Sequence, residues 1–140
     1  MRYLLDTCVI SELVALRPNQ RVREWIDSID PEAVYLSVIT IGEIRKGIEK
    51  LPDSNRKSML REWLEGELLI RFRGRILPID LDVMLVWGQM IARLELSGKK
   101  MGAMDSLIAG IALHAHLTFS LSRARLPLKS KGVPFGFLTA

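Results

Sequence analysis

The order of apolar and polar positions along the chain predicts short strands that alternate with longer helices. Tyr3–Leu5 and residues 34–38 are brief apolar runs, which are typical of strands buried on both faces. Residues 20–29 instead repeat their apolar side chains at helical spacing, and the Asp30-Pro31 pair ends this predicted helix. The first third of the chain is therefore predicted to contain two strands with helical structure between them.

The same alternation continues through the rest of the chain. The predicted helices cover residues 40–50, 54–72, 81–96 and 104–115. Residues 75–80 are predicted to be a short strand and its exit, and two further strands are predicted over residues 117–121 and 133–137. Short apolar strands joined by helices predict a parallel sheet covered on both faces, with right-handed crossovers. No repeat, low-complexity tract or linker interrupts the pattern, so we expect one α/β domain over residues 1–140.

Composition favours a globular protein of the cytoplasm. Of the 140 residues, 49% are apolar and 26% are charged, and the length is sufficient for a hydrophobic core. The single cysteine, Cys8, has no partner for an intramolecular disulfide, and Asp6 interrupts the apolar start that a signal peptide needs. Residues 106–122 form the longest uncharged stretch, but polar residues break it too often for a membrane span. We expect no membrane association.

The charge distribution suggests a polyanionic partner. The formal net charge is +4, and every Asp and Glu lies at or before Asp105. Basic residues cluster at residues 71–75, at residues 99–100 and in the acid-free tail, where they can follow a phosphate backbone. The same residues can equally serve only to solvate the surface, and charge alone does not separate these roles.

Three acidic residues stand at the edges of apolar segments. Asp6 follows the first strand, Glu43 lies in the helix after the second strand, and Asp105 opens the last long helix. Asp105 shares a helical stripe with Ile108 and Ala112, so its carboxylate is expected to face the core, where an unpaired charge is costly. In a parallel α/β fold the three acids can converge at one sheet edge, and clustered carboxylate oxygens favour Mg²⁺ or Mn²⁺.

Each acid also has a purely structural interpretation. Asp6 and Asp105 can be N-caps of the helices that follow them, and Glu43 can be a solvated residue paired with Lys46. Cys8 lacks a nearby histidine that would activate it as a nucleophile, so we interpret it as a packing residue. It also stands two residues after Asp6, where a haloacid-dehalogenase phosphatase needs a second Asp.

Four segments resemble the VapC-type PIN-domain ribonucleases, and among these the FitB-like branch. The segments read LLDTCVISEL, LSVITIGEIRKGIEKL, GRILPID and GKKMGAMDSLIAGIALHAHLT. The resemblance extends over about residues 1–118, and Asp6, Glu43 and Asp105 match the family's acids in identity, order and spacing. A single DT dipeptide is a weak signal, whereas the ordered set is a strong one.

The resemblance implies a three-layer α/β/α sandwich with a central parallel sheet, a homodimer, and metal-dependent hydrolysis of RNA. Carried over to this sequence, Asp6, Glu43 and Asp105 would be catalytic residues that bind Mg²⁺ or Mn²⁺ or orient a metal-bound water. The implied substrate is RNA, such as tRNA or rRNA. The implied partner is a small VapB-like antitoxin, which would hold the toxin of a type II toxin–antitoxin system inactive.

The C-terminal segment departs from the family pattern. Similar toxins carry a fourth acid in a Thr-Arg-Asn-x-x-Asp-Phe segment after the fourth strand, whereas this chain reads SLSRARLPL over residues 120–128. A shift of reading frame would explain the difference, because one codon choice for residues 124–127 reads Arg-Asp-Phe-Pro one base later. The departure also raises an alternative function, a catalytically impaired PIN-fold module that still binds an antitoxin.

Overall fold

The chain folds around a small parallel sheet. A computed structural model describes residues 2–17 and 19–120, and within them the strands are β1 (Tyr3–Leu5), β2 (Val34–Ser37), β3 (Ile76–Leu77) and β4 (Thr118–Ser120). The strands lie in the order β3-β2-β1-β4, and each neighbouring pair is parallel. The expected central parallel sheet is confirmed.

Helices occupy most of the remaining described residues. They are α1 (Thr7–Glu12), α2 (Gln20–Ser28), α3 (Val38–Glu49), α4 (Asn55–Trp63), α5 (Leu69–Arg71), α6 (Leu81–Leu96) and α7 (Ala103–His114). A π-helical turn (Leu64–Leu68) joins α4 to α5. Polar side chains start several of these helices by accepting hydrogen bonds from first-turn N–H groups: Asn19 for α2, Ser37 for α3, Ser54 for α4 and Asp80 for α6.

Successive side chains of the strands point into two separate cores. Leu5 and Leu36 pack with α1, α2, α3 and the π-helical turn on one face of the sheet. Leu4 packs with α6 and α7 on the other face. Each of these three leucines is at most 1% exposed, which explains why the strands read as unbroken apolar runs. Helices on both faces of one sheet make the three-layer α/β/α sandwich that the sequence predicted.

The connectivity brings several helix starts to one edge of the sheet. β1 leads into α1, β2 leads into α3, and α7 leads into β4. Because crossover helices run opposite to parallel strands, the N-termini of α1, α3 and α7 lie at the carboxyl edge. The strand order also reverses at β1, which has β2 on one side and β4 on the other. Ligands of open parallel sheets bind at such a reversal.

The structure refines the predicted elements in two places. The short strand and its exit predicted over residues 75–80 are β3 and the residues after it, since Pro78 cannot continue the ladder and Asp80 already caps α6. The helix predicted over residues 54–72 contains the π-helical turn. The strand predicted over residues 133–137 lies outside the described residues. In the described part of the chain, no helix combines the length and apolar character that a membrane span requires.

Candidate active site

Asp6 is buried at the carboxyl end of β1. Its side chain is the N-cap of α1, and its Oδ1 accepts a hydrogen bond of 3.1 Å from the backbone N–H of Val9. The residue is only 5% exposed, so donors or a cation must compensate its charge. The predicted N-cap role of Asp6 is confirmed, and it fixes the carboxylate where β1 meets α1.

Glu43 lies half-buried in α3 and contacts the start of α1. The hydroxyl of Thr7 donates a hydrogen bond of 2.7 Å to Oε1 of Glu43. Among residues 2–17 and 19–120, no ion pair joins Glu43 to Lys46, so the solvated-pair interpretation does not hold. Glu43 is instead tied to the residue that follows Asp6 in sequence.

Two buried hydroxyl groups lie next to the contact between Thr7 and Glu43. Ser37 and Thr40 are both 0% exposed. The N–H of Thr40 donates to Oγ of Ser37 at 3.1 Å, and the hydroxyl oxygens of these two residues are 3.3 Å apart. The hydroxyl oxygen of Thr40 lies 3.5 Å from that of Thr7. A chain of hydroxyl groups therefore runs from the start of α3 to the Glu43 carboxylate.

Asp105 is exposed, so the expectation that its carboxylate faces the core is wrong. Ile108 and Ala112 of the same stripe are buried, but the first turn of α7 stands at the sheet edge, where the stripe reaches solvent. The N-cap interpretation is also wrong, because Gly102 holds that position. Asp105 therefore lies in the first turn as an exposed acid, a placement that the helix dipole favours.

The neighbour of Asp105 carries the buried contact instead. Ser106 is 1% exposed, its hydroxyl accepts a hydrogen bond of 3.0 Å from the indole Nε1 of Trp87, and it donates to the carbonyl of Ala103 at 2.7 Å. Trp87 belongs to α6, so this contact holds the first turn of α7 against α6. The position of Asp105 is fixed through its backbone.

The structure brings two of the three predicted site residues together through an intermediate residue. Glu43 is hydrogen-bonded to Thr7, which follows Asp6 in sequence, whereas Asp105 reaches the same sheet edge from α7. No group of three His, Cys, Asp or Glu side chains that could hold a metal occurs in the described ranges. This arrangement still fits Mg²⁺ or Mn²⁺, because Mg²⁺ is held by one or two carboxylates, with waters and substrate phosphates completing its coordination.

Sequence reasoning missed the polar residues that hold the acids. The hydroxyls of Thr7, Ser37 and Thr40 and the Trp87–Ser106 pair were not singled out. A usable signal existed for Ser37, since a serine that ends an apolar strand and precedes a helix is a typical N-cap. For Trp87 and Ser106 there was none, because the contact joins residues 19 positions apart on two different helices.

The basic segment at residues 71–75 is partly structural. The guanidinium of Arg75 donates to the carbonyls of Pro31, Val34 and Arg71, and it lies over the Phe72 ring with 5.0 Å to the ring centroid. Arg75 therefore does not serve to follow a phosphate backbone. Lys99 and Lys100 are exposed, as are two arginines of that segment, Arg71 and Arg73.

Ionic contacts also fix the far end of α3. The Arg61 guanidinium donates two hydrogen bonds to the Glu49 carboxylate, at 3.1 Å and 2.7 Å. These bonds, together with the charges of Arg61, Arg45 and Lys57, lower the pKa of Glu49 to about 2. The Glu49 carboxylate in turn raises the pKa of Arg61 above its ordinary value. Glu49 lies outside the candidate site, and its ion pair with Arg61 joins α3 to α4.

Known proteins with a similar sequence include a ribonuclease and a toxin. The chain is 38% identical to the VapC ribonuclease Y4jK of Sinorhizobium fredii over 130 residues, which cover 93% of this chain and 92% of that protein. It is 44% identical to the toxin FitB of Neisseria gonorrhoeae over 115 residues, covering 82% of this chain and 83% of that protein. These similarities confirm the resemblance inferred from the sequence.

Solved structures and the family comparison agree with the sequence relatives. The crystal structure of FitAcB from Neisseria gonorrhoeae superposes with a TM-score of 0.83 at 41% identity, covering 87% of this chain and 88% of that chain. The profile of the PIN domain matches residues 3–121, which include β1 to β4 and all three acids. The chain therefore belongs to the PIN-domain family.

Proposed function

We propose that the chain is a cytoplasmic, metal-dependent endoribonuclease and the toxin of a type II toxin–antitoxin pair. The observation that carries this proposal is the 2.7 Å hydrogen bond between Thr7 and Glu43, which ties the acid of α3 to the residue after the buried Asp6. This link stands at the carboxyl edge of the sheet, where the strand order reverses. The similarity to a VapC ribonuclease and to a toxin supports the same activity.

Asp6, Glu43 and Asp105 are the residues that would hold Mg²⁺ or Mn²⁺. All three supply carboxylate oxygens, the ligand type that these hard cations select. When bound, such an ion lowers the pKa of a coordinated water and neutralises charge on the scissile phosphate. Asp6 contributes a fixed carboxylate at the end of β1, and Asp105 contributes an exposed one that can meet substrate and ion together.

RNA is the proposed substrate class. The site lies at an exposed edge, since the first turn of α7 is open to solvent at Asp105. The net charge of +4 favours a polyanion over a neutral substrate. Exposed lysines such as Lys99 and Lys100 are available to contact phosphates. The ribonuclease named among the relatives supports RNA over DNA.

An antitoxin and a second copy of the chain are the proposed partners. The structural relatives at 25% identity or more include FitAcB and VapBC complexes. An antitoxin that covers the site would place a basic side chain opposite the carboxylates, because opposite charges favour that placement. The homodimer rests on the family resemblance, and exposed apolar side chains such as Leu81 and Leu85 provide surface for contacts of this kind.

A second candidate function is an antitoxin-binding module with impaired catalysis. The observation that favours it is the lack of any Asp or Glu after Asp105 in the sequence. A pocket with three acids has less negative charge to hold a cation than a pocket with four. Ion binding and cleavage therefore separate the two candidates.

The test compares the wild-type chain with Asp105→Asn and Asp82→Asn. Asp82 is the matched control, because it is also an exposed acid in a helical first turn, but in α6, which follows β3 at the other side of the sheet. Thermal melts with and without Mn²⁺ report ion binding, since a ligand of the folded state raises the melting temperature. Cleavage of total RNA reports activity.

We expect wild type and Asp82→Asn to gain stability with Mn²⁺ and to cleave RNA. Asp105→Asn should gain less stability and lose cleavage, while its melting temperature without the ion should stay near wild type. Equal responses in Asp105→Asn and Asp82→Asn would remove Asp105 from the site. A wild-type chain that neither responds to the ion nor cleaves RNA would favour the impaired module.

A further inference from the structure

Thr7 is the one described side chain that donates a hydrogen bond to Glu43. It is the first residue of α1, directly after the N-cap Asp6, while Glu43 lies in the second turn of α3. The bond of 2.7 Å joins a hydroxyl to a carboxylate, and hydrogen bonds to ionised groups are the stronger class. Thr7 is thus covalently adjacent to one candidate ligand and hydrogen-bonded to another.

Two further hydroxyl groups, those of Thr40 and Ser37, lie behind Thr7. Each hydroxyl has one proton to donate, and Thr7 donates its proton to the carboxylate at 2.7 Å. The hydroxyl oxygen of Thr40 lies 3.5 Å from that of Thr7, a long and weak contact. Thr40 accepts from Ser37 in turn, and Ser37 accepts from the Thr40 backbone N–H at 3.1 Å. Of these hydroxyl groups, Thr7 is the one that donates to Glu43.

The hydrogen bond from Thr7 orients the Glu43 carboxylate, and buried hydroxyl groups surround Thr7. Ser37 and Thr40 are fully buried, so water does not compete for their hydroxyls. A glutamate side chain has several rotatable bonds and loses rotamer freedom when it is held in one geometry. The bond from Thr7 occupies Oε1 and so sets the direction in which Oε2 points.

We propose that Thr7 is a positioning residue that presents Oε2 of Glu43 to the divalent cation. This inference rests on the proposed metal-dependent function. Polar partners of metal ligands matter for affinity, since their removal weakens metal binding or activity by about 10- to 100-fold. The role is separate from that of Asp6, whose orientation comes from the N–H of Val9.

The test uses Thr7→Val, Thr7→Ser and calorimetric titration with Mn²⁺ alone. Valine keeps the branched shape of threonine and removes the hydroxyl, whereas serine keeps the hydroxyl. We expect Thr7→Val to bind Mn²⁺ about 10- to 100-fold more weakly, with kcat for RNA reduced and KM little changed. Thr7→Ser should restore both values to near wild type. Melts without the ion show that each variant is folded.

A double-mutant cycle with Glu43→Gln separates positioning from packing. If Thr7 acts through the Glu43 carboxylate, Thr7→Val should weaken Mn²⁺ binding in the wild-type background and have no further effect beside Glu43→Gln. A packing role predicts a lower melting temperature without the ion and equal Mn²⁺ affinity in wild type and Thr7→Val. That combination of results would overturn the inference, as would additive losses of Mn²⁺ affinity in the double-mutant cycle. The proposed function would remain intact in each case. A wild-type chain that binds no Mn²⁺ would overturn both.

Discussion

The two sides of the candidate site hold their acids by different means. On the side of α1 and α3, hydrogen bonds reach the carboxylates themselves: Val9 donates to Asp6, and Thr7 donates to Glu43. On the side of α7, the hydrogen bonds reach only Ser106, and the adjacent Asp105 is exposed. One side therefore fixes side chains, and the other fixes only the backbone.

Packing explains why the two sides differ. α1 and α3 follow neighbouring strands, so small hydroxyl residues at their starts meet directly over the sheet edge. α7 instead packs closely against α6, where a Cβ added at Gly110 would lie 3.1 Å from Cβ of Trp87. The glycine allows this close approach, and the approach brings the Trp87 indole to Ser106. The backbone of α7 is therefore held tightly, while the side chain of Asp105 is exposed.

This contrast suggests a division of roles within the site. The fixed side loses little side-chain entropy when an ion binds, because Asp6 and Glu43 are already ordered. The exposed side loses more, but Asp105 can adapt to an ion and a substrate phosphate together. Removal of the acid on each side should therefore have different effects: Asp6→Ala should lose stability and ion binding together, and Asp105→Asn should lose ion binding alone.

The largest effect is expected at Asp6, where cap and charge can be separated. Asp6→Asn keeps the cap and removes the charge, whereas Asp6→Ala removes both. Both variants should lose RNA cleavage, but only Asp6→Ala should lose the cap contribution of about 0.5–2 kcal/mol in urea unfolding without the ion. Cleavage by Asp6→Asn at the wild-type rate would show that Asp6 is only a cap.

A smaller effect is expected from the close packing of α7. Gly110→Ala gains helix propensity of roughly 0.5–1 kcal/mol but must move Trp87 by a few tenths of an ångström, and overpacking of this kind costs about 1–3 kcal/mol. Gly47→Ala in α3 is the matched control, since nothing lies within 4 Å of the added Cβ. We expect Gly47→Ala to stabilise the chain and Gly110→Ala to be neutral or destabilising. Equal stabilisation by both would show that α6 and α7 are not tightly packed at this position.

The sequence alone predicted most of the framework. A buried strand appears in the sequence as an unbroken apolar run, and a helix appears as a periodic pattern of apolar residues. Six elements were therefore predicted close to their observed bounds: β1, β2, α2, α3, α6 and α7. The short strand predicted before Pro78 corresponds to β3, and the proline marks its exit because it cannot continue the ladder.

The site was predicted less completely than the framework. The sequence located Asp6, Glu43 and Asp105 at helix starts, and topology brings those starts to one edge. It misjudged the burial of Asp105, since periodicity shows which face a residue shares but not where the sheet beneath that face ends. The Thr7–Glu43 contact joins residues 36 positions apart, and no local pattern encodes such a distance.

The smallest effect is expected at Glu49. A variant of this residue tests whether exposed ion pairs hold α3 in addition to the buried hydroxyl groups. The pKa of Glu49 is lowered from 4.5 to about 2, chiefly by its hydrogen bonds to Arg61. A lowered folded-state pKa stabilises the fold above the unfolded value, and this contribution is lost as the pH falls from about 4.5 through about 2. Both side chains are largely exposed, at 43% and 40%, so solvent and salt screen the pair and the contribution is small. Glu49→Gln should therefore melt slightly below wild type at pH 7 in low salt, and the difference should shrink toward pH 2 and in high salt. A difference in melting temperature that persists at pH 2, or that does not change with salt, would mean that Glu49 supports α3 through uncharged contacts. The ion pair with Arg61 would then not contribute to holding α3.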